Sequence, residues 1–151
     1  ADAQILTRSL RVNAMAPILL MDLLYRARGE GQAINVFNIL DQKLGNLNPD
    51  YYSYTVSKAA LHAATKLWRS RRDPSFRVFG ILPGLMFPSG AQTDARFHED
   101  ISKSPLRRPV TPDAIHDAIV FLSRSGSAFG QDIAVDAGEG LTGRLRDIQF
   151  D

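Results

Sequence analysis

At 151 residues the chain is the size of one domain and long enough to bury a core. Its 44% hydrophobic and 23% charged residues exclude a disordered composition. The lack of cysteine excludes disulfides and thiolate metal sites and gives no sign of secretion, so a cytoplasmic location is expected. The net charge is only +2. The arginine clusters (Arg69, Arg71, Arg72; Arg107, Arg108) lack interleaved aromatics, so they read as solvated helix ends rather than a nucleic-acid surface. The longest apolar run, "AMAPILLM" at 14–21, is too short for a membrane span. The chain starts at Ala1 without an initiator methionine, and an N-terminal portion is expected to be missing.

In chain order, residues 4–28 read as a helix, with Ile5, Leu10, Val12, Met15, Leu19 and Leu23 at helical spacing and glycines at its end. "AINVFNIL" (33–40) reads as a buried strand and "DQKLGNLNPD" (41–50) as a loop. Residues 51–71 form a long helix with an alanine face at 59, 60, 63 and 64. "FRVFGILPG" (76–84) is a second strand, closed by Pro83-Gly84. Residues 85–110 show no strong period and carry three prolines, the pattern of a long lid or binding excursion. Thr111 caps a helix over 111–126 with Pro112 at its first position, and "QDIAVDAG" (131–138) is a third strand.

Strands separated by helices predict right-handed crossovers, a parallel sheet and an α/β sandwich. Three strands make a narrow sheet with an exposed edge, which points to missing strands or a partner.

The chemistry centres on "YYSYTVSKAAL" (51–61). Tyr54 and Lys58 lie four apart on one helix face, whereas Tyr51 and Tyr52 are two turns away or on the wrong face. A phenol titrates near pH 10, and a neighbouring ammonium favours its ionised form. A helix on which Tyr and Lys merely fall four apart accounts for the pair equally simply. Asp41 ends a predicted strand, where ligand crevices of open α/β sheets form, and is either a site carboxylate or a turn former. Pro17 lacks the N–H that would bond the Asn13 carbonyl, so this carbonyl is free to hold a water, unless the proline is a plain kink. His62, His98 and His116 have no metal-ligand spacing and read as surface residues, so no metal is expected. Phe87, Phe97 and His98 either stack on a planar ring or pack the lid.

Five blocks, "RVNAMAP" (11–17), "INVFNILD" (34–41), "YTVSKAAL" (54–61), "VFGILPGL" (78–85) and "IAVDAG" (133–138), resemble the short-chain dehydrogenase/reductase family in order and spacing. The resemblance covers the family's C-terminal half. It implies the C-terminal part of a Rossmann-like, doubly wound parallel sheet in three α/β/α layers. Tyr54 would be the general acid/base, and Lys58 would lower its pKa and bind the nicotinamide ribose. Asn13 would hold a relay water through its main chain. Pro83, Gly84 and Leu85 would lie against the nicotinamide, with 85–110 as the substrate lid. The helix 51–71 would make a homodimer or homotetramer.

Asp41 stands where the family usually has serine, which resembles the pteridine-reductase branch. The implied activity is reduction of a dihydropterin or dihydrofolate with NADPH, NAD being the other possible nucleotide. Alternatives are another carbonyl substrate, such as a ketoacyl or sugar compound, or a non-catalytic packing module. Ala137 replaces the second glycine of the family's D-G-G. No G-x-x-x-G-x-G or G-x-G-x-x-G occurs, and "GEGLTG" (138–143) follows a strand without opening a helix, so it makes a poor phosphate loop. The chain alone is therefore expected to grip a dinucleotide weakly or not at all.

Overall fold

The computed structural model describes residues 2–151. Its elements run α1 (Ala3–Leu10), a π turn (Arg11–Met15), α2 (Ala16–Ala27), β1 (Ile34–Ile39), a 3-10 turn (Gln42–Gly45) and α3 (Tyr52–Arg69). Then come β2 (Phe76–Pro83), α4 (Asp94–Ser102), α5 (Pro112–Arg124), β3 (Asp132–Val135) and short 3-10 turns at Glu139–Leu141 and Ile148–Phe150. The strands are parallel in the order β1-β2-β3. Ile34 pairs with Phe76 at one end and Ile39 with Ile81 at the other, and β3 joins β2 at Gly80–Pro83.

Alternation along β2 builds two cores. Phe76 and Val78 pack with Met21, Leu61 and Trp68 of α2 and α3 on one face. Phe79 and Ile81 pack with Val110, Ile115 and Leu122 on the face covered by α5. Side chains at every second residue point to opposite faces, so one strand serves both helical layers. This is the expected three-layer α/β/α arrangement. No helix among the described residues is long and apolar enough to cross a membrane.

The helix expected over 4–28 is interrupted. Pro17 lies at the start of α2, and just before it the backbone widens into the π turn, where the Ala16 N–H bonds the Arg11 carbonyl five residues back. A proline offers its turn no donor, and a one-residue bulge accommodates it. The turn also affects which side faces out. Ile5, Val12, Met15, Leu19 and Leu23 are 52 to 64% exposed, while Ala14 and Met21 are buried. The stripe identified by its spacing is therefore an uncovered apolar face of the described chain, not a core face.

A second difference lies in 85–110, where α4 forms. Thr93 accepts a hydrogen bond from the Arg96 N–H at 3.3 Å, and Asp94 occupies the first turn. Phe97 and Ile101, one turn apart, are buried, so a nine-residue helix with a single apolar pair escaped a search for longer periods. His62 is also not a free surface residue: its Nε2 lies 2.7 Å from Asp132, which Arg69 also holds. His98 and His116 are exposed. On α3, Ala59 and Ala63 face outward, and the sheet side is made by Ser57, Leu61, Thr65 and Trp68.

One buried polar contact fixes α3 against β1. Asn38 Nδ2 donates to Thr65 Oγ1 at 2.8 Å, and both residues are at most 5% exposed. In Thr65→Val the Asn38 amide keeps its place and loses its partner. We expect a loss of about 1–3 kcal/mol in unfolding free energy, measured by urea denaturation.

Candidate active site

Parallel strands that end together leave a crevice beyond their carboxyl ends. Here β1 ends at Ile39 and β2 at Pro83, and a cavity of about 520 Å³ opens between them and the start of α3. Asp41, Tyr54, Lys58, Pro83, Gly84 and Leu85 all line it. Six of the seven residues singled out by sequence thus meet in one place.

The central contact is a hydrogen bond from the Tyr54 hydroxyl to Asp41 Oδ2 at 2.7 Å. Asp41 is held in place because its other oxygen accepts the Lys43 N–H at 2.8 Å and caps the turn Gln42–Gly45. Lys58 Nζ donates to the Ile39 carbonyl at 2.8 Å and lies 5.7 Å from the centre of the Tyr54 ring. Burial lowers the Lys58 pKa, with the Asp41 charge working in the opposite direction. The remaining ammonium N–H groups are available to a ligand.

The expected lowering of the Tyr54 pKa by Lys58 is not what this site does. Burial, then the Asp41 charge, then the hydrogen bond to Asp41 push the phenol well above its ordinary value. The ammonium is directed at a backbone carbonyl, whereas the carboxylate touches the hydroxyl, so the nearer charge decides. Tyr54 is therefore a held phenol, protonated at neutral pH, and its proton leaves only for a strongly basic acceptor.

Asn13 is the seventh residue and stands outside the cavity wall. Its Nδ2 donates to Ser57 Oγ at 3.0 Å, and Ser57 Oγ donates to the Tyr54 carbonyl at 2.6 Å. Its side chain thus braces the turn of α3 that carries the tyrosine. Gly84 has a role fixed by packing: a Cβ there would sit 2.7 Å from the Asp136 backbone, so the turn after β2 needs glycine to pass β3. Phe87 is exposed at the cavity wall, while Phe97 is buried in α4. Stacking on a ligand is open only to the former.

The C-terminal segment was not foreseen. Asp147 and Gln149 line the same cavity, and Asp147 pairs with buried Lys43 at 2.8 Å. Nothing in the local pattern of "RLRDIQFD" signals this, because its partners lie about a hundred residues earlier in the chain. The segment "GEGLTG" is not a phosphate cradle. The Gly138 and Gly140 N–H groups both donate to Asp136, each at 2.9 Å, and are thereby spent.

A family model described as enoyl-(acyl carrier protein) reductase, of the short-chain dehydrogenase type, matches residues 1–139. The chain belongs to the short-chain dehydrogenase/reductase family. It is 26% identical over 140 residues to a dihydromonapterin reductase of Klebsiella pneumoniae, covering 91% of this chain and 58% of that protein. It also superposes on the FolM alternative dihydrofolate reductase 1 of Brucella suis, solved in complex with NADP. The TM-score is 0.89 at 34% identity, over 94% of this chain and 57% of that one. The Brucella canis counterpart, also complexed with NADP, gives a TM-score of 0.90 at 34% identity, over 98% and 59%. This short-chain dehydrogenase/reductase chain thus spans under three fifths of the length of these relatives.

The raised Tyr54 pKa sets a pH dependence. Because the folded value lies above the unfolded one, its stabilising contribution is complete below about pH 10 and is lost as the pH climbs further. Tyr54→Phe removes this step. Chemical denaturation above about pH 10 should show wild type losing stability more steeply than the variant, and tyrosinate absorbance should lose its highest-pH step.

Proposed function

We propose that this chain carries the catalytic residues of an NADPH-dependent reductase of a dihydropterin or dihydrofolate-like substrate, with Tyr54 as proton donor. The observation that carries the reading is the Tyr54–Asp41 hydrogen bond inside the cavity shared with Lys58 and the Pro83–Leu85 turn. The Klebsiella and Brucella relatives, by what they are named for and bind, point to the same substrate and cofactor class.

The residues present fit the nicotinamide riboside end of such a cofactor. Lys58 keeps donors for ribose hydroxyls after bonding Ile39, and Pro83, Gly84 and Leu85 offer a turn for the ring to lie against. They do not fit the pyrophosphate end, since the chain has no glycine-rich loop and Asp136 occupies the Gly138 and Gly140 amides. When bound, NADPH supplies the hydride; NAD is the second nucleotide to try. Tyr54 hands its hydroxyl proton to the substrate atom that becomes basic on reduction. Asp41 orients that hydroxyl and keeps it protonated until then. Asn13 fixes the helix through Ser57, and its main chain holds a water that returns the proton. Residues 85–110 form the lid over a small-molecule substrate.

The protein is cytoplasmic in this reading and assembles as a homodimer or homotetramer through α3. The exposed Ala59 and Ala63, together with the stripe from Ile5 to Leu23, supply apolar surface for that contact. A second reading, a reductase of acyl-carrier or other carbonyl compounds, is favoured by the acyl-carrier-protein description of the matching family model.

Oxidation of NADPH by the complete protein, followed with a dihydropterin, a ketoacyl thioester and a sugar ketone, separates the two. We expect turnover with the dihydropterin and a loss of at least about a hundredfold in kcat for Tyr54→Phe. Turnover unchanged in that variant sinks the proton-donor role, and turnover confined to the thioester or ketone sinks the substrate assignment.

A further inference from the structure

Terminal residues are usually poorly ordered unless something ties them down. Residues 144–151 are tied to the rest of the fold at Arg144, Arg146, Asp147, Gln149 and Asp151. Arg146 makes two 2.8 Å bonds to the Asp50 carboxylate, and the Asp147 N–H makes a third to the same group, holding the Asp50 pKa down at about 2. Arg144 binds Glu139, Asp151 and the Lys103 carbonyl, and Lys103 returns a bond to the Asp151 carbonyl at 3.0 Å. Buried Lys43 holds Asp147. The segment is a strap anchored to the turn before α3 and to the lid.

Besides Asp147, the strap brings Gln149 to the cavity in a fixed pose. Gln149 Oε1 accepts from the Tyr51 hydroxyl at 2.6 Å, and Gln149 Nε2 donates to Ser89 Oγ at 2.7 Å. Its carbonyl is held by Arg96 at 3.2 Å and its N–H by Asp147 at 3.2 Å. Tyr51 is built to meet it. Its backbone is left-handed at φ 52°, a cost for a non-glycine residue, and its ring lies against Phe150 and the Lys43 ammonium. A carboxamide has two N–H donors and two acceptor sites, so after these bonds it retains one donor and one acceptor. An oriented donor–acceptor pair matches a cyclic amide, in which N–H and C=O are adjacent.

We propose that Gln149 is a specificity-determining residue, reading the amide edge of the substrate within the cavity it shares with Tyr54 and Asp41. This rests on the dihydropterin reading above and adds the group that would select such a ring. A ring gripped by its amide edge at Gln149 presents its reducible part toward Tyr54. Carbonyl compounds without that edge leave the Gln149 pair unmatched, which disfavours them.

The test is equilibrium binding to the complete protein, in the presence of NADP, of 6-methylpterin and of quinoxaline, a bicycle of similar shape with no amide edge. We expect Gln149→Ala to weaken 6-methylpterin about tenfold and to leave quinoxaline and NADP unchanged. Tyr51→Phe, which frees the carboxamide without removing it, should weaken 6-methylpterin by less. Equal losses for both bicycles, or no loss for either, overturn the role of Gln149 while the substrate reading stands. Failure of the wild-type chain to bind 6-methylpterin overturns both. A far-ultraviolet circular dichroism spectrum unchanged by Gln149→Ala separates lost recognition from lost folding.

Discussion

The site depends on one constraint, the hold that β1 keeps on α3. Asn38 on the strand bonds Thr65 on the helix inside a dry layer, and at the strand's end the Ile39 carbonyl takes the Lys58 ammonium. These two points, nearly two turns apart on α3, fix both its position along the strand and its rotation. Tyr54 lies one turn before Lys58 and Asp41 two residues beyond Ile39, so their meeting follows from the same two bonds. A buried amide left without its partner costs far more than a satisfied one contributes, and this makes the arrangement specific as well as stable.

The consequence is a phenol whose proton is guarded. A site that needed a tyrosinate base in its resting state would put a cation next to the hydroxyl. This one puts a carboxylate there and directs the cation at the backbone. The Tyr54–Asp41 pair holds a proton on the phenol, and releasing it places two negative groups side by side. Such a site works best when the proton leaves for an atom made strongly basic by hydride addition, and when positive charge gathers nearby at the same moment.

Much of this was legible in the sequence because it is local. Helix spacing joins Tyr54 to Lys58, the strand ends at Asp41, and the Pro83-Gly84 turn closes β2. That the stripe on α1 and α2 faces outward was not legible, because hydropathy at helical spacing gives the width of an apolar face, not which way it points. The π turn before Pro17 then sets the face. α4 was missed because Phe97 and Ile101 are its only buried apolar pair. The strap was illegible for a different reason. Its meaning lies in pairs such as Arg146 with Asp50 and Asp147 with Lys43, and single-chain patterning carries no record of contacts that distant.

The strap also explains how a cavity at the end of a narrow sheet becomes a recognisable site. Strand ends and α3 supply only one wall, rich in reacting groups and poor in groups that discriminate. The lid contributes Phe87 and Ser89 to the other, both exposed. Once Gln149 bonds Ser89 on one side and Tyr51 on the other, the lid, the strap and the start of α3 become a single wall. The left-handed backbone at Tyr51 is the strain carried for that closure, and the Asp50–Arg146 pair beside it shares the load. Tyr54 and Gln149 thus line one cavity from parts of the chain about a hundred residues apart, and different bonds hold each in place.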